Sequence, residues 1–500
     1  MRWPAETRVA DMRLSRSSLA DLPKGVAAPP YDRSRLKAGI LHIGVGNFHR
    51  AHMARYANDL FAKGLDHDWA ILGAGVRPGD AVMREKLEAQ DWLTTAIELG
   101  SDRVRAEVVG SMVGFVPVEA DNQALIRAMS EPAIRIVSLT VTEGGYYIDP
   151  AKQQFDAAHP DIRHDADNPD RPRTAFGAMV AALKSRRAAG LPPFTGLSCD
   201  NLPGNGDILR TTVVTLARQT DPDLAAWIDS EGAFPNSMVD SIVPATGPKE
   251  LSLVRERFGI EDAAPVTHEP FRQWVIEDRF SAGRPRWEAV GVTFTDQVHD
   301  YERMKLRILN GGHATICYPA ALLGIEIVSG TMADERIRRF FRKVEETEIV
   351  PHVAPVPDMT PPAYLDLIES RFANPAIVDT TRRLAFDGSN RQPKFILPSV
   401  VDGLAAGTPV EGLALVSAAW CRYCSGTTEA GEAIADNDPI WTDLKARALA
   451  ARDRPEHWLA MCEIYGDLAE KPPFADAFAR WLRLIQAEGV EAALTTYARA

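Results

Sequence analysis

Cysteine is scarce in this sequence, with five in 500 residues: Cys199, Cys317, Cys421, Cys424 and Cys462. So small and odd a number cannot staple a secreted scaffold, and a reducing, cytoplasmic setting is expected. Long hydrophobic runs are missing too. No stretch approaches the roughly 18 apolar residues that span a membrane. The opening MRWPAETRVADMRLSRSS interleaves charge every few residues, without the apolar centre of a signal peptide. Basic charge is in deficit, since 56 Lys and Arg stand against 68 Asp and Glu for a net charge of −12. That balance opposes binding to nucleic acid or an anionic membrane and favours small neutral or solvated substrates. A hydrophobic share of 45% with 25% charged residues excludes disordered and fibrous classes. No zipper or symmetric interface is evident, and the sequence does not fix the oligomeric state, which stays open between a monomer and a weak oligomer.

What is present divides the chain in two. The first ~38 residues, with Pro23, Pro29 and Pro30, read as an N-terminal arm lying on a later domain. From Ile40, ILHIGVG is a strand ending in glycines, and RAHMARYANDLFAKG carries Met53, Tyr56, Leu60 and Phe61 at helical spacing. Trp69 to Val76 reads as a second strand and MREKLEAQD as a helix. WLTTAIEL with RAEVVGSMVGFV reads as a β-rich insertion, and Ile134 to Tyr146 as the strongest later strand. Strands alternating with helices predict a mostly parallel sheet covered on both faces. Pro160 to Arg173 reads as a surface loop, and Phe194 to Gly206 as a strand and loop before a helix with Ile208, Val213 and Leu216 inside. Beyond residue 295 helical patterns dominate, which predicts an α/β domain over 1–295 and a mainly helical domain over 296–500. No repeat or low-complexity tract interrupts either half.

Two constellations carry chemistry. Gly44-Val45-Gly46-Asn47-Phe48-His49 follows a strand and opens a helix, the context of a dinucleotide fingerprint. Glycines let the backbone approach a pyrophosphate, and the helix N-terminus stabilises its charge. His49 replaces the third glycine, so an ordinary strand-to-helix turn fits the same pattern. Asp80 is the candidate for the ribose hydroxyls, and the neighbouring Arg77 leaves NADP open beside NAD. Thr142, Glu143 and Gly144 end a core strand at the edge where ligands gather in open α/β sheets. The second constellation is Lys305, Asn310 and His313 in MKLRILNGGHATICYP. On a helix, Lys305, His313 and Asn310 fall at about 0°, 80° and 140°, one broad polar arc that a solvated face would also show. Gly311 and Gly312 cost about 1 kcal/mol each inside a helix, which points to close approach of a ligand or another backbone. His49 and His52 suit helix-to-sheet packing. Cys421-x-x-Cys424, without a second pair, reads as buried thiols, and no metal site is found.

GVGNFHRAH, TVTEGGYY, SCDNLPGNG, VDSIVPAT, KLRILNGGHA and RRLAFDGSNRQPKF, in this order, resemble the long-chain polyol-specific dehydrogenase and reductase family of mannitol-dehydrogenase type. The resemblance runs from about Ile40 to the C-terminal helices, and Lys-x4-Asn-x2-His is that family's catalytic signature. It implies a Rossmann-type N-terminal domain followed by a mainly α-helical, substrate-binding C-terminal domain. It also implies metal-independent interconversion of a linear polyol, D-mannitol first, and its ketose, D-fructose, with NAD. Carried over, Lys305 is the general base, and Asn310 and Asn201 hydrogen-bond the reacting oxygen. His313 orients substrate hydroxyls, while Asp240 and Arg383 match positions that contact the sugar chain. A base role suits a lysine in a desolvated cleft, where burial lowers an amine's pKa towards the operating pH. Arg391 stands where mannitol-oxidising relatives have lysine, with Lys394 nearby. An arginine fork binds carboxylate or phosphate in bidentate fashion, which keeps fructuronate and tagaturonate reductases and arabinitol dehydrogenases as alternatives, while a substituted surface lysine is the plainer reading. A non-catalytic sugar or nucleotide sensor is the alternative of another class.

Overall fold

The structure, a computed structural model, describes residues 12–149 and 154–499. It separates into two compact units, Met1–His299 and Asp300–Ala500.

The first unit is built on five parallel strands: β1 (Ala38–Ile43), β2 (Ala70–Ala74), β3 (Met112–Phe115), β4 (Ile136–Leu139) and β5 (Thr195–Ser198). Their order across the sheet is β3-β2-β1-β4-β5, the doubly wound Rossmann order 3-2-1-4-5. Alternation along the strands explains why these apolar runs are buried on both faces. Leu41, Ile43, Val137 and Leu139 enter one core, and Ile40, Ile71, Ile136 and Leu197 enter the other. Strand order reverses between β1 and β4, so a crevice opens beyond their carboxyl ends. A separate small sheet pairs β6 (Ser237–Asp240) antiparallel with β7 (Gln273–Ile276).

Helices α1 (Asn47–Ala51) and α2 (Met53–Ala62) follow β1, broken at His52, whose φ of −120° and ψ of −89° leave the helical region. Helix α3 (Pro78–Glu88) follows β2, and α4 (Asn205–Thr220) follows β5. The arm joins the sheets rather than only covering them: Met12–Arg13 pairs with Ile260–Glu261, and Val26–Ala27 with Ala106–Glu107.

Three expectations need correction. Thr94–Leu99 and Val104–Val109 do form an inserted hairpin, but Met112–Phe115 of the same run is an edge strand of the main sheet. The strand expected over Ile134 to Tyr146 spans only Ile136–Leu139, because Thr142 turns to a φ of +68° and Glu143–Tyr146 coils into a 3-10 turn. Pro160–Asp167 is a helix rather than a loop. Pro160 opens it, Ile162 is fully buried with Ala166 packed beside it against the same core, and buried Asp165 accepts from Arg173 N and Thr174 N. Ile162 and Ala166 are its only apolar side chains besides Pro160, too few to show a periodicity.

The second unit begins inside α5 (Val298–Met304) and continues as helices throughout. The elements around Lys305–His313 are α6 (Gly311–Leu322), α7 (Glu335–Val344), α8 (Pro361–Phe372), α9 (Thr381–Ala385), α10 (Gly388–Phe395) and α11 (Glu411–Cys424). Helix α11 is buried along nearly its whole length, with Cys421 and Cys424 both inside as free thiols. Among the described residues no helix is long and apolar enough to cross a membrane.

Candidate active site

The turn after β1 has the build of a phosphate cradle. Gly44 has a φ of +96°, and a Cβ there would lie 2.1 Å from Thr140 O, so only glycine fits between β1 and β4. At Gly46, by contrast, a Cβ would meet nothing nearer than Gly44 O at 4.0 Å, which leaves room for a ligand to approach the backbone. The residues present therefore fit a dinucleotide's diphosphate. Arg50, buried, braces the turn from behind by donating from Nε to Gly46 O (3.3 Å) and from Nη2 to Asn47 Oδ1 (2.7 Å). Asn47 Nδ2 donates to Pro244 O (3.2 Å), so its side chain ties the turn to the segment after β6. Phe48 stacks on His52 at 4.8 Å.

Below this turn lies a histidine stack. His42 and His49 lie ring on ring, 3.7 Å apart and 18° from parallel. His42 Nε2 donates to Gly44 O (3.2 Å), and Nδ1 lies 2.8 Å from Ser138 Oγ. Burial holds His42 and His52 at a pKa of about 3 and His49 well below its ordinary value, so all three are neutral.

Asp80 Oδ2 accepts from Val76 N and Arg77 N, both at 2.9 Å, and so caps α3 with the carboxylate turned towards the end of β2. Thr142 and Gly144 are exposed beyond β4, with open space at Gly144, and Glu143 lies in the turn between them. Asn201 is exposed in the loop after β5. Asp240 closes β6 and is buried. A residue that sequence reasoning passed over organises this edge. Asp200 accepts from Val141 N (3.1 Å), Thr142 N (2.9 Å) and Tyr146 Oη (2.8 Å), pinning the end of β4 to the end of β5 beside Asn201.

In the second unit, the expected α-helical arc is not what forms. Lys305–Asn310 is a π-helical turn between α5 and α6, and Gly311 N donates to Leu306 O, five residues back. The wider i to i+5 turn brings Asn310 closer round to the Lys305 face than the ~140° of an α-helix, and π-turns of this kind are frequent at functional sites. His313 follows on α6, about 60° round from Asn310. Lys305 is 8% exposed. Asn310 Oδ1 and His313 Nε2 are buried and find no hydrogen-bond partner among the described residues. His313 stacks on Phe372 of α8 at 4.2 Å and 16°. Burial lowers its pKa to about 3, opposed by Asp379 and aided by Arg383, Arg371 and Arg391, so the imidazole is neutral.

The close approach expected at Gly311 and Gly312 is by protein. A Cβ on Gly312 would lie 2.8 Å from Phe341 of α7 and 3.1 Å from Glu345 Oε1, and one on Gly311 3.2 Å from Phe395 O. Arg383 is exposed and forks onto the carboxylate of buried Asp379. Arg391 is half-buried, with Nη1 donating to Leu384 O at the end of α9 (2.8 Å), whereas Lys394 is exposed.

A parallel sheet with a diphosphate-fitting turn at its switch point, in a chain that also carries a Lys-Asn-His turn on a helical unit, defines the class of nucleotide-dependent dehydrogenases. Comparison with known proteins narrows the class. Residues 38–289 match the mannitol dehydrogenase Rossmann domain and residues 297–486 the mannitol dehydrogenase C-terminal domain. The chain belongs to the mannitol dehydrogenase family. It is 61% identical over 476 residues to a mannitol 2-dehydrogenase of Cereibacter sphaeroides, covering 95% of this chain and 99% of that one. It is 38% identical to one from Phaeosphaeria nodorum, covering 99% and 88%. Among solved structures it resembles the ternary complex of Pseudomonas fluorescens mannitol 2-dehydrogenase with NAD and D-mannitol. There the TM-score is 0.87 at 40% identity, covering 98% of this chain and all of that one.

Proposed function

We propose that the protein is an NAD-dependent polyol dehydrogenase that interconverts D-mannitol and D-fructose, with Lys305 as general acid/base. One observation carries the reading: a single π-turn and the helix after it present Lys305, Asn310 with an unpartnered Oδ1 and neutral His313 with an unpartnered Nε2. Buried polar atoms without partners cost stability unless a ligand completes them. The family relationship supports the same reading, since relatives over nearly the full chain are mannitol 2-dehydrogenases.

The residues then divide the work. Gly44 and Gly46 bring backbone against the cofactor diphosphate, with Asn47 and Phe48 shaping the turn and Thr142 to Gly144 lining the far side. Asp80 faces the ribose hydroxyls. When bound, the nicotinamide supplies the acceptor for hydride from the carbinol carbon. Lys305 takes the hydroxyl proton during oxidation and returns it to the carbonyl oxygen during reduction. Asn310 and Asn201 donate hydrogen bonds to that oxygen as charge develops on it, a role worth about 3 kcal/mol per donor. Neutral His313, Asp240, Arg383 and Arg391 bind the remaining hydroxyls.

A second reading, reduction of a keto-sugar acid such as fructuronate, is favoured by one feature: Arg371, Arg383 and Arg391 all act on His313 against the single carboxylate of Asp379. The test is oxidation of NADH by the purified protein with D-fructose, D-xylulose, D-fructuronate and D-tagaturonate, each repeated with NADPH. Turnover with D-fructose and NADH is expected. Turnover confined to the keto-acids overturns the polyol assignment.

A further inference from the structure

Asp379 lies in the segment between α8 and α9 and is only 8% exposed. Its backbone is clamped, with Val328 N donating to Asp379 O (3.0 Å) and Asp379 N to Ile377 O (3.1 Å). Its carboxylate is saturated by neighbours of fixed geometry. Thr380 N donates to Oδ1 (2.9 Å), Arg383 Nε donates to Oδ1 (2.5 Å), and Arg383 Nη2 donates to Oδ2. Arg383 itself keeps 59% of its side chain exposed. The pair is therefore asymmetric, with a rigid buried acid at one end and a guanidinium reaching outward at the other. A fork held at two nitrogens cannot swivel, so its outward edge is presented in one orientation. Burial works against the charge of Asp379, and the Arg383 contacts still hold its pKa below the ordinary carboxylate range, so the carboxylate stays ionised. It is also the leading electrostatic influence favouring the proton on His313, against the three arginines.

We propose that Asp379 is a positioning residue for the substrate chain: it fixes the Arg383 fork, so that hydroxyls remote from the reacting carbon meet preset donors. This rests on the assignment of Arg383 and His313 to the substrate given above.

The test uses the full-length protein and whichever substrate of the panel it turns over. Asp379→Asn keeps the shape and the Thr380 contact while removing the charge that holds the fork. KM for the substrate is expected to rise about 10- to 100-fold while kcat falls far less, because positioning rather than proton transfer is lost. The NADH dissociation constant is expected to stay within about twofold, since nothing in the first unit changes. Combined with Arg383→Gln, Asp379→Asn is expected to add nothing, because both act through one fork. An unmoved KM, or effects that multiply in the double variant, overturns the proposal. Should Asp379→Asn fail to fold, Arg383→Lys asks the same question, since an amine cannot occupy both carboxylate oxygens: a raised KM is expected, and an unchanged one overturns the fork. Absence of wild-type turnover with every substrate overturns the functional reading and this inference with it, whereas wild-type turnover with an unmoved KM in the variant overturns this inference alone.

Discussion

Mild acid is expected to unfold the first unit well before neutral-pH stability would suggest. His42, His52 and His268 are held at about 3 by burial, and burial likewise holds His49 well below its ordinary value. Folded chains refuse these protons and unfolded chains accept them near 6.5, so stability is intact above that pH and drains as pH falls through it. Each such histidine costs about 1.4 kcal/mol per pH unit below 6.5. Four of them at pH 5.5 remove roughly 5 to 6 kcal/mol, comparable to the whole stability of an ordinary domain. Urea unfolding at pH 7.5 and 5.5, followed by the fluorescence of buried Trp274 and Trp287, measures this directly. His49→Phe isolates one share, because neither ring nitrogen of His49 has a partner to lose and its ring only stacks on His42. The variant should recover about 1.4 kcal/mol at pH 5.5 relative to its own effect at pH 7.5. A first unit equally stable at both pH values refutes the reasoning.

The remaining expectations concern single positions. Gly44→Ala forces a side chain onto Thr140 O at a positive φ, and should raise the NADH dissociation constant at least tenfold while costing about 1 to 3 kcal/mol of stability; unchanged NADH binding in a fluorescence titration would contradict the cradle. Glu345 is fully buried with neither carboxylate oxygen partnered among the described residues, and burial raises its pKa well above the ordinary range. Its folded form therefore keeps the proton, and its contribution to stability falls as pH rises above about 4.5. Glu345→Met should stabilise the second unit by about 1 to 3 kcal/mol at pH 8 and flatten that pH dependence, and a destabilised variant in urea titrations would contradict it.

The residues that follow a local rule were readable in advance. Ile40 to Gly46 announce a strand and a glycine turn because apolar run and turn chemistry are both local. What escaped depends on distance. Asp200 matters because β4 and β5 lie side by side, bringing Val141 and Tyr146 to it across more than fifty residues, and no pattern in SCDNLPGNG says so. Met112 to Phe115 looks like the hairpin before it, and only its pairing with β2 makes it the sheet's edge. The Lys305, Asn310 and His313 set was legible as residues but not as geometry. A helical wheel assumes one period, and the π-turn changes the period at the six residues that matter. Gly311 and Gly312 were read as close approach of a ligand or another backbone, and the neighbours prove to be Phe395 O at Gly311 and the side chains of Phe341 and Glu345 at Gly312.

The central claim is that Lys305 moves the proton in oxidation of a polyol by NAD. It is tested most directly by steady-state NAD reduction with D-mannitol and NADH oxidation with D-fructose, for the wild type and Lys305→Ala, alongside an NADH titration of both. The account predicts wild-type turnover in both directions, a kcat lowered roughly 10²- to 10⁴-fold in the variant, and NADH binding preserved within a few-fold. A Lys305→Ala protein that binds NADH and turns over at near wild-type rate would contradict it.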